Sequence, residues 1–259
     1  MAQNDRALFL YNTDVTQFNK YINFKNAALG PELTATIPIG NYTATELAFQ
    51  IKKQLDLVDG VNTYTVGINR GVSAGLENRL TISSSGSYFS LLFATGTNAA
   101  NAIWQVIGFN NQDYTSALSY TGYKSIGTVL VPEFAMLDYL PPNLYITQDG
   151  SKNVSAAGIK ETLVFAQMQF TQAKWKWITN FGNRTQLTEW AAFLQYATKQ
   201  KKFEFTPSIY EDYDSFYQVT LETTDADSNG MGYKLKQMMG DGLYRFYETG
   251  LIKFRIIPT

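Results

Sequence analysis

The chain has 259 residues and carries 21 basic against 22 acidic side chains, a net charge of −1. Charged residues make up 17%, below the roughly 25% usual for soluble domains, while 17 Tyr, 17 Phe and 4 Trp raise the aromatic share to 15%. It holds no Cys and no His, which excludes a Ser-His-Asp triad, a thiol nucleophile, an imidazole base, a thiolate or imidazole zinc site and a disulfide. Carboxylates, Lys, Tyr and oxygen-ligated metals remain. So weakly charged a surface, nearly free of self-repulsion, suits a protein packed against other subunits.

The opening MAQNDRALFLYNTD has no sustained apolar core of the secretory kind. No run elsewhere reaches the roughly 18–20 apolar residues of a spanning helix, so a soluble, unsecreted chain is expected. A first strand is expected at Ala7–Tyr11 and a second at Leu33–Ile37, with Pro38-Ile39-Gly40-Asn41 as a turn. In YTATELAFQIKKQLDLV the residues Leu47, Ile51, Leu55 and Val58 fall on one helical face. Thr43 with Glu46 fits a capping box, and the helix should end at Asp59-Gly60. Thr63–Ile68 and Arg79–Ser83 read as a hairpin, and Tyr88–Phe93 as a strand. Ala99–Val106 reads as a short helix closed by Gly108, before an exposed FNNQDYT loop.

From Tyr120 to Gly158, Pro132, Pro141-Pro142 and the polar run Gln148–Ala157 act as punctuation. The expected organisation is an N-terminal α+β module over 1–120, an irregular connection over 121–158 and a β-rich module over 159–259. In the last, Glu161–Phe170 and Trp175–Ile178 alternate as strands. TQLTEWAAFLQYATKQ places Leu187, Trp190, Phe193, Leu194 and Ala197 on one face of a helix over 185–200, with Lys199, Lys201 and Lys202 at its dipole's negative end. Strands are expected again at Lys202–Thr206, Phe216–Glu222, Gly242–Thr249 and Leu251–Ile257. The fold class expected is β-rich α+β: a sandwich or barrel platform with a flanking helix, plus an N-terminal unit of mixed strands and one long helix.

Chemistry-bearing candidates are few. Asp225, Asp227 and Asn229 in DADSNG match the opening of a calcium loop, but Lys236 stands at the twelfth position where a bidentate Glu should close the shell. An Asx/Gly turn is therefore the preferred reading. Glu211, Asp212 and Asp214 cluster among aromatics in IYEDYDSFY, as glycosidase carboxylates do, although catalytic pairs normally come from separate elements. Lys199-Gln200-Lys201-Lys202 is one short basic cluster on a neutral chain, so no specific nucleic-acid binding is expected. GVSAGLENR lacks the Lys-Ser/Thr ending of a phosphate loop and reads as a hairpin loop. Sequons at Asn41, Asn153 and Asn183 are attributed to an Asn- and Thr-rich composition. No cofactor and no catalytic residue is expected.

Several segments together resemble a module of tailed-bacteriophage virion proteins: IPIGNYTATELAFQIKKQL, TYTVGINR and RLTISSSGSYFSLLFATGTNAANAIWQVIGFNNQDYT. KNVSAAGIKETL, LTEWAAFLQYATKQKKFEFTPS and YQVTLE resemble phage tail proteins of the distal-tail and tail-tube type, with Trp190, Phe193, Phe203, Phe205 and Pro207 on the matching spacing. The resemblance implies a platform that assembles into a ring of the tail or baseplate. Its partners would be further copies of itself and neighbouring virion proteins, with no membrane contact, assembled in a host cytoplasm. A receptor- or glycan-binding module, a neck or capsid-associated role, and a carbohydrate-active enzyme using Glu211, Asp212 or Asp214 are the alternatives.

Overall fold

The computed structural model describes residues 7–27, 29–70, 78–132, 145–154, 160–179, 186–207, 216–240 and 245–258. In chain order the first half contributes β1 (Leu8–Tyr11), β2 (Tyr21–Lys25), β3 (Leu33–Thr36), α1 (Ala44–Asp59), β4 (Tyr64–Asn69), β5 (Arg79–Ser84), β6 (Phe89–Leu92), β7 (Asp113–Ala117), β8 (Ser119–Thr121) and β9 (Thr128–Leu130). The second half contributes β10 (Tyr145–Val154), β11 (Lys160–Lys174), β12 (Ile178–Thr179), α2 (Gln186–Ala197), β13 (Phe203–Thr206), β14 (Tyr217–Thr224), β15 (Lys236–Met239), β16 (Phe246–Glu248) and β17 (Leu251–Ile256). This is a β-rich α+β fold.

The largest sheet runs β10-β11-β17-β14-β13-β1-β9, with every pairing antiparallel. Strand β1, from the N-terminal end of the chain, thus sits between β13 of the second half and β9. Side chains alternate across a strand, and in β1 both sets are apolar. Leu8 and Leu10 point into one core, while Ala7, Phe9 and Tyr11 point into another. Beside it, Val129 and Leu130 of β9 divide in the same way. The two cores therefore share a wall.

The second core is aromatic. Around Phe9 lie the rings of Phe193, Phe205, Trp175, Trp190, Phe254 and Phe203, with centroids 4.4–6.3 Å away. Trp190 and Phe193, on the inner face of α2, are fully buried there, as their spacing predicts. Beyond Ala197 the chain turns at Gln200, whose φ is +58.

The first core is aliphatic in the main. Leu47, Ile51 and Leu55 of α1 meet Ile22, Phe24, Ala35 and Ile37 on one side and Leu80 and Ile82 on the other. The capping box is present, with Thr43 Oγ1 accepting from the Glu46 N–H and the Glu46 carboxylate accepting from the Thr43 N–H. Gly60 closes α1 at φ +66, where a side chain would be strained. Two smaller antiparallel sheets, β3-β2-β6-β7 and β4-β5-β8, carry this core, and β12-β16-β15 lies beside the large sheet.

Several expectations are corrected. Ala99–Val106 is two single 3₁₀ turns, not one helix, because Ala102 is extended and bridges to Tyr21 of β2. The FNNQDYT segment is a loop only to Gln112; from Asp113 it is β7. The stretch 121–158 holds β9 and the ten-residue β10, which takes in most of the polar run. Trp175–Ile178 is not continuous strand, since Trp177 adopts φ +63 between β11 and β12. The expected strand Gly242–Thr249 appears as β16, and 241–244 lie outside the described residues. Strands β2, β8 and β15 were not expected.

Candidate functional site

The N-terminus of α1 abuts the face of the large sheet opposite the aromatic core. In β13, Phe203 and Phe205 point to that core, so alternation sends Glu204 the other way. There its carboxylate accepts the Thr45 N–H of α1 at 2.7 Å and pairs with Arg70 at 2.6 Å. The Glu204 side chain is 1% exposed and Arg70 12%. A buried anion on a free helical N–H satisfies both the orphan donor and the helix dipole. Arg70 also donates to Thr45 Oγ1 and lies 3.7 Å over the Phe216 ring. One strand along, Gln218 Oε1 accepts from the capping hydroxyl of Thr43.

A second set of ties forms where the chain leaves α2. Asn41 donates to Asp14 and to Tyr196 Oη, and its own oxygen accepts the Lys202 N–H. Tyr196 Oη in turn donates to the Lys202 carbonyl at 3.1 Å. Burial raises the Tyr196 phenol's pKa, and the nearby charge of Asp14 adds to the rise. Lys201 pairs with Asp14, and Lys202 with Glu46 at 2.8 Å. These side chains join the two halves of the chain by charge and hydrogen bonds.

Outside this junction, α1 presents a row that is not part of the core. Positions 49, 53 and 57, one turn apart, all face outward, and Val61 continues them just past the helix. Phe49 is 61% exposed, Leu57 72% and Val61 83%. Three depressions meet at Phe49. One of about 620 Å³ is lined by Tyr42, Glu46, Gln50 and Lys202. One of about 300 Å³ lies against Val66, Gly67, Ile68 and Phe216, and one of about 520 Å³ against Lys53 and Leu57. From Phe49 to Leu57 the row spans about 12 Å along the helix.

Among models of known protein families none matches the chain, and no curated protein matches it. The site is therefore judged on its own groups. Among the described residues, no cluster of three or more acidic side chains is placed to hold a metal ion, and no helix is long and apolar enough to cross a membrane.

The residues singled out in the sequence fare differently. Glu211, Asp212 and Asp214 lie outside the described residues, as do Asn183 and most of GVSAGLENR. Asp227 accepts the Asn229 and Met231 N–H groups, and Asp225 accepts the Leu251 N–H. DADSNG is thus hydrogen-bonded as a turn tied to β17. Lys201 and Lys202 are ion-paired across the junction, and Asn41 is one of its centres. Asn153 lies in β10. Phe49, Lys53, Leu57, Arg70 and Glu204 were not anticipated. The available signal was Phe49 and Leu57 falling on the helical face opposite Leu47, Ile51 and Leu55.

Buried charge elsewhere serves the fold. At the end of α1, burial works to raise the Asp59 carboxyl's pKa, but hydrogen bonds from Asn26, Tyr64 and Asn62 outweigh it and leave it below the ordinary value. The Tyr64 phenol is pushed well up by its burial and by that carboxylate.

Proposed function

We propose that the chain is a structural component of a bacteriophage virion, a ring subunit of the tail or baseplate of the distal-tail or tube type. It works through self-assembly and contact with neighbouring virion proteins, and not through catalysis. The observation that carries this reading is the outer row of α1. Its first two positions, Phe49 and Lys53, lie within IPIGNYTATELAFQIKKQL, one of the segments that resemble phage virion modules, and Phe49 is an aromatic anchor between depressions, the form of a protein contact surface.

The fold supports the reading in a second way. The other segments carrying the resemblance supply β4, β5 and β6 around the first core, and α2 and β13 around the second. A β-rich platform flanked by a helix is what the resemblance implies. Closed rings use heterologous contacts, in which one patch of each subunit meets a different patch of the next. The test is the position of the chain in a reconstruction of the intact particle. Several copies in mutual contact around the tail axis are expected, and a single isolated copy per particle would overturn the proposal.

A further inference from the structure

Strand β10 pairs with β11 over ten positions, from Tyr145 with Phe170 to Val154 with Lys160. The other edge of β11 meets β17 at six positions only, from Gln169 to Lys174. Among the described residues, 160–168 therefore pair with β10 alone, and β10 has no partner on its outer edge. At about 3.3 Å per residue, this two-stranded ribbon runs on for about 30 Å past the sheet. A two-stranded hairpin alone is marginally stable in water, and its edge is a template for another strand. Ile146 and Thr147, at its base, are exposed.

The sequence of that edge is symmetric in kind about Gly150. Reading outward from it in ITQDGSKNV, Asp149 matches Ser151, Gln148 matches Lys152, Thr147 matches Asn153 and Ile146 matches Val154. A strand of this pattern is complementary to itself when reversed. Antiparallel pairing of two copies centred on Gly150 sets acceptors Asp149 and Gln148 across from donors, the partner subunit's Ser151 and the partner subunit's Lys152. Ile146 falls across from the partner subunit's Val154, and no like charges face each other. The register sum is even, so in a regular strand the same outward-pointing backbone groups meet on both sides. The irregularity in the β10–β11 ladder places the extra residue, Phe165, on β11 and leaves β10 regular.

We infer that β10 is a two-fold self-association edge, through which two copies of this chain join their seven-stranded sheets by antiparallel β10–β10 pairing about Gly150. This contact is isologous, so it is distinct from the heterologous contacts that would close a ring. It goes beyond the virion reading and does not depend on it.

The experiment is sedimentation equilibrium of the full chain and of β10 variants at low ionic strength. Ser151→Lys places a cation opposite Asp149 twice and should tighten the dimer. Ser151→Asp places two carboxylates there and should weaken it. Each change should move the dimer Kd by about two- to thirty-fold, from two cross-strand charge pairs. Exchanging the two residues, Asp149→Ser with Ser151→Asp, should restore the wild-type value. Hydrogen exchange should show the β10 amides becoming protected as concentration rises, and circular dichroism should confirm that each variant is folded. A wild-type chain that stays monomeric throughout, or three folded variants with one Kd, would overturn the inference. Either result leaves the ring reading to its own test in the particle.

Discussion

Replacing Glu204 by Gln tests the junction most directly. The amide keeps an oxygen for the Thr45 N–H but removes the charge that faces Arg70 at 2.6 Å. Removing one member of a buried ion pair costs about 3–5 kcal/mol, because the other charge is left uncompensated. Arg70 keeps 12% of its side chain exposed and its stacking on Phe216, so the low end, about 3 kcal/mol, is expected here. For a chain of this length that corresponds to a fall in Tm of about 6 °C or more. Urea unfolding followed by tryptophan fluorescence would measure it. The double variant Arg70→Met with Glu204→Gln removes the stranded cation and should recover more than half of the loss. A cost under about 1 kcal/mol for the single variant, or a double variant that pays the sum of both singles, would show that the pair is not buried and coupled as described.

Trp190→Ala empties the largest side chain on α2 from a site walled by Phe9, Trp175 and Phe193, and should cost about 3–5 kcal/mol. An unchanged melting midpoint would place Trp190 at the surface. Asp59 has a folded pKa below its unfolded value, so its contribution is fully present above about pH 4 and is lost as pH falls through the lower folded value. Acid should therefore destabilise the wild type between roughly pH 5 and 3 more steeply than Asp59→Asn, as read from Tm against pH, and parallel curves would contradict this. Phe49→Lys and Leu57→Lys should leave Tm nearly unchanged, since both positions face solvent, while lowering incorporation in a competition between variant and wild-type chains for particles. Equal incorporation would remove the row from the contact surface.

The elements that were legible in the sequence are those whose local chemistry and burial agree. Helix α1 has a capping box, a 3.6-residue apolar period and a left-handed Gly60, and each is realised. Strand β2 was hidden because Asn23, fully buried in its middle, breaks the apolar pattern. Asn23 is held by Glu32, Thr34 and the Asn98 N–H, partners that only the fold brings to it. The helix expected at Ala99–Val106 has acceptable propensity throughout, but the bridge from Ala102 to Tyr21 extends the chain in its middle. The run ALFLY reads readily as a strand. That it would be the wall between two cores follows from which strands flank it, and those come from residues 128–130 and 203–206.

The junction was illegible for the same reason on a larger scale. Arg70 and Glu204 are 134 positions apart, and Lys202 and Glu46 are 156 apart. In the sequence, Lys199–Lys202 is a cationic helix end; in the fold, the turn after α2 carries Lys201 and Lys202 onto Asp14 and Glu46. The physical requirement behind this is specific. A sheet with an aromatic core on one face meets the start of α1 on the other, where helical N–H groups need acceptors, so the alternate positions Glu204 and Gln218 must be polar although they are buried. Two lysines of the basic run, Lys201 and Lys202, are taken up in ion pairs at the rim of this junction. With the junction's charges paired, the outer face of α1 remains, where Phe49, Leu57 and Val61 are exposed without a packing role. Exposed apolar side chains along a helix whose other face is committed to the core have the form of a partner surface, and this is why we propose contact as their role.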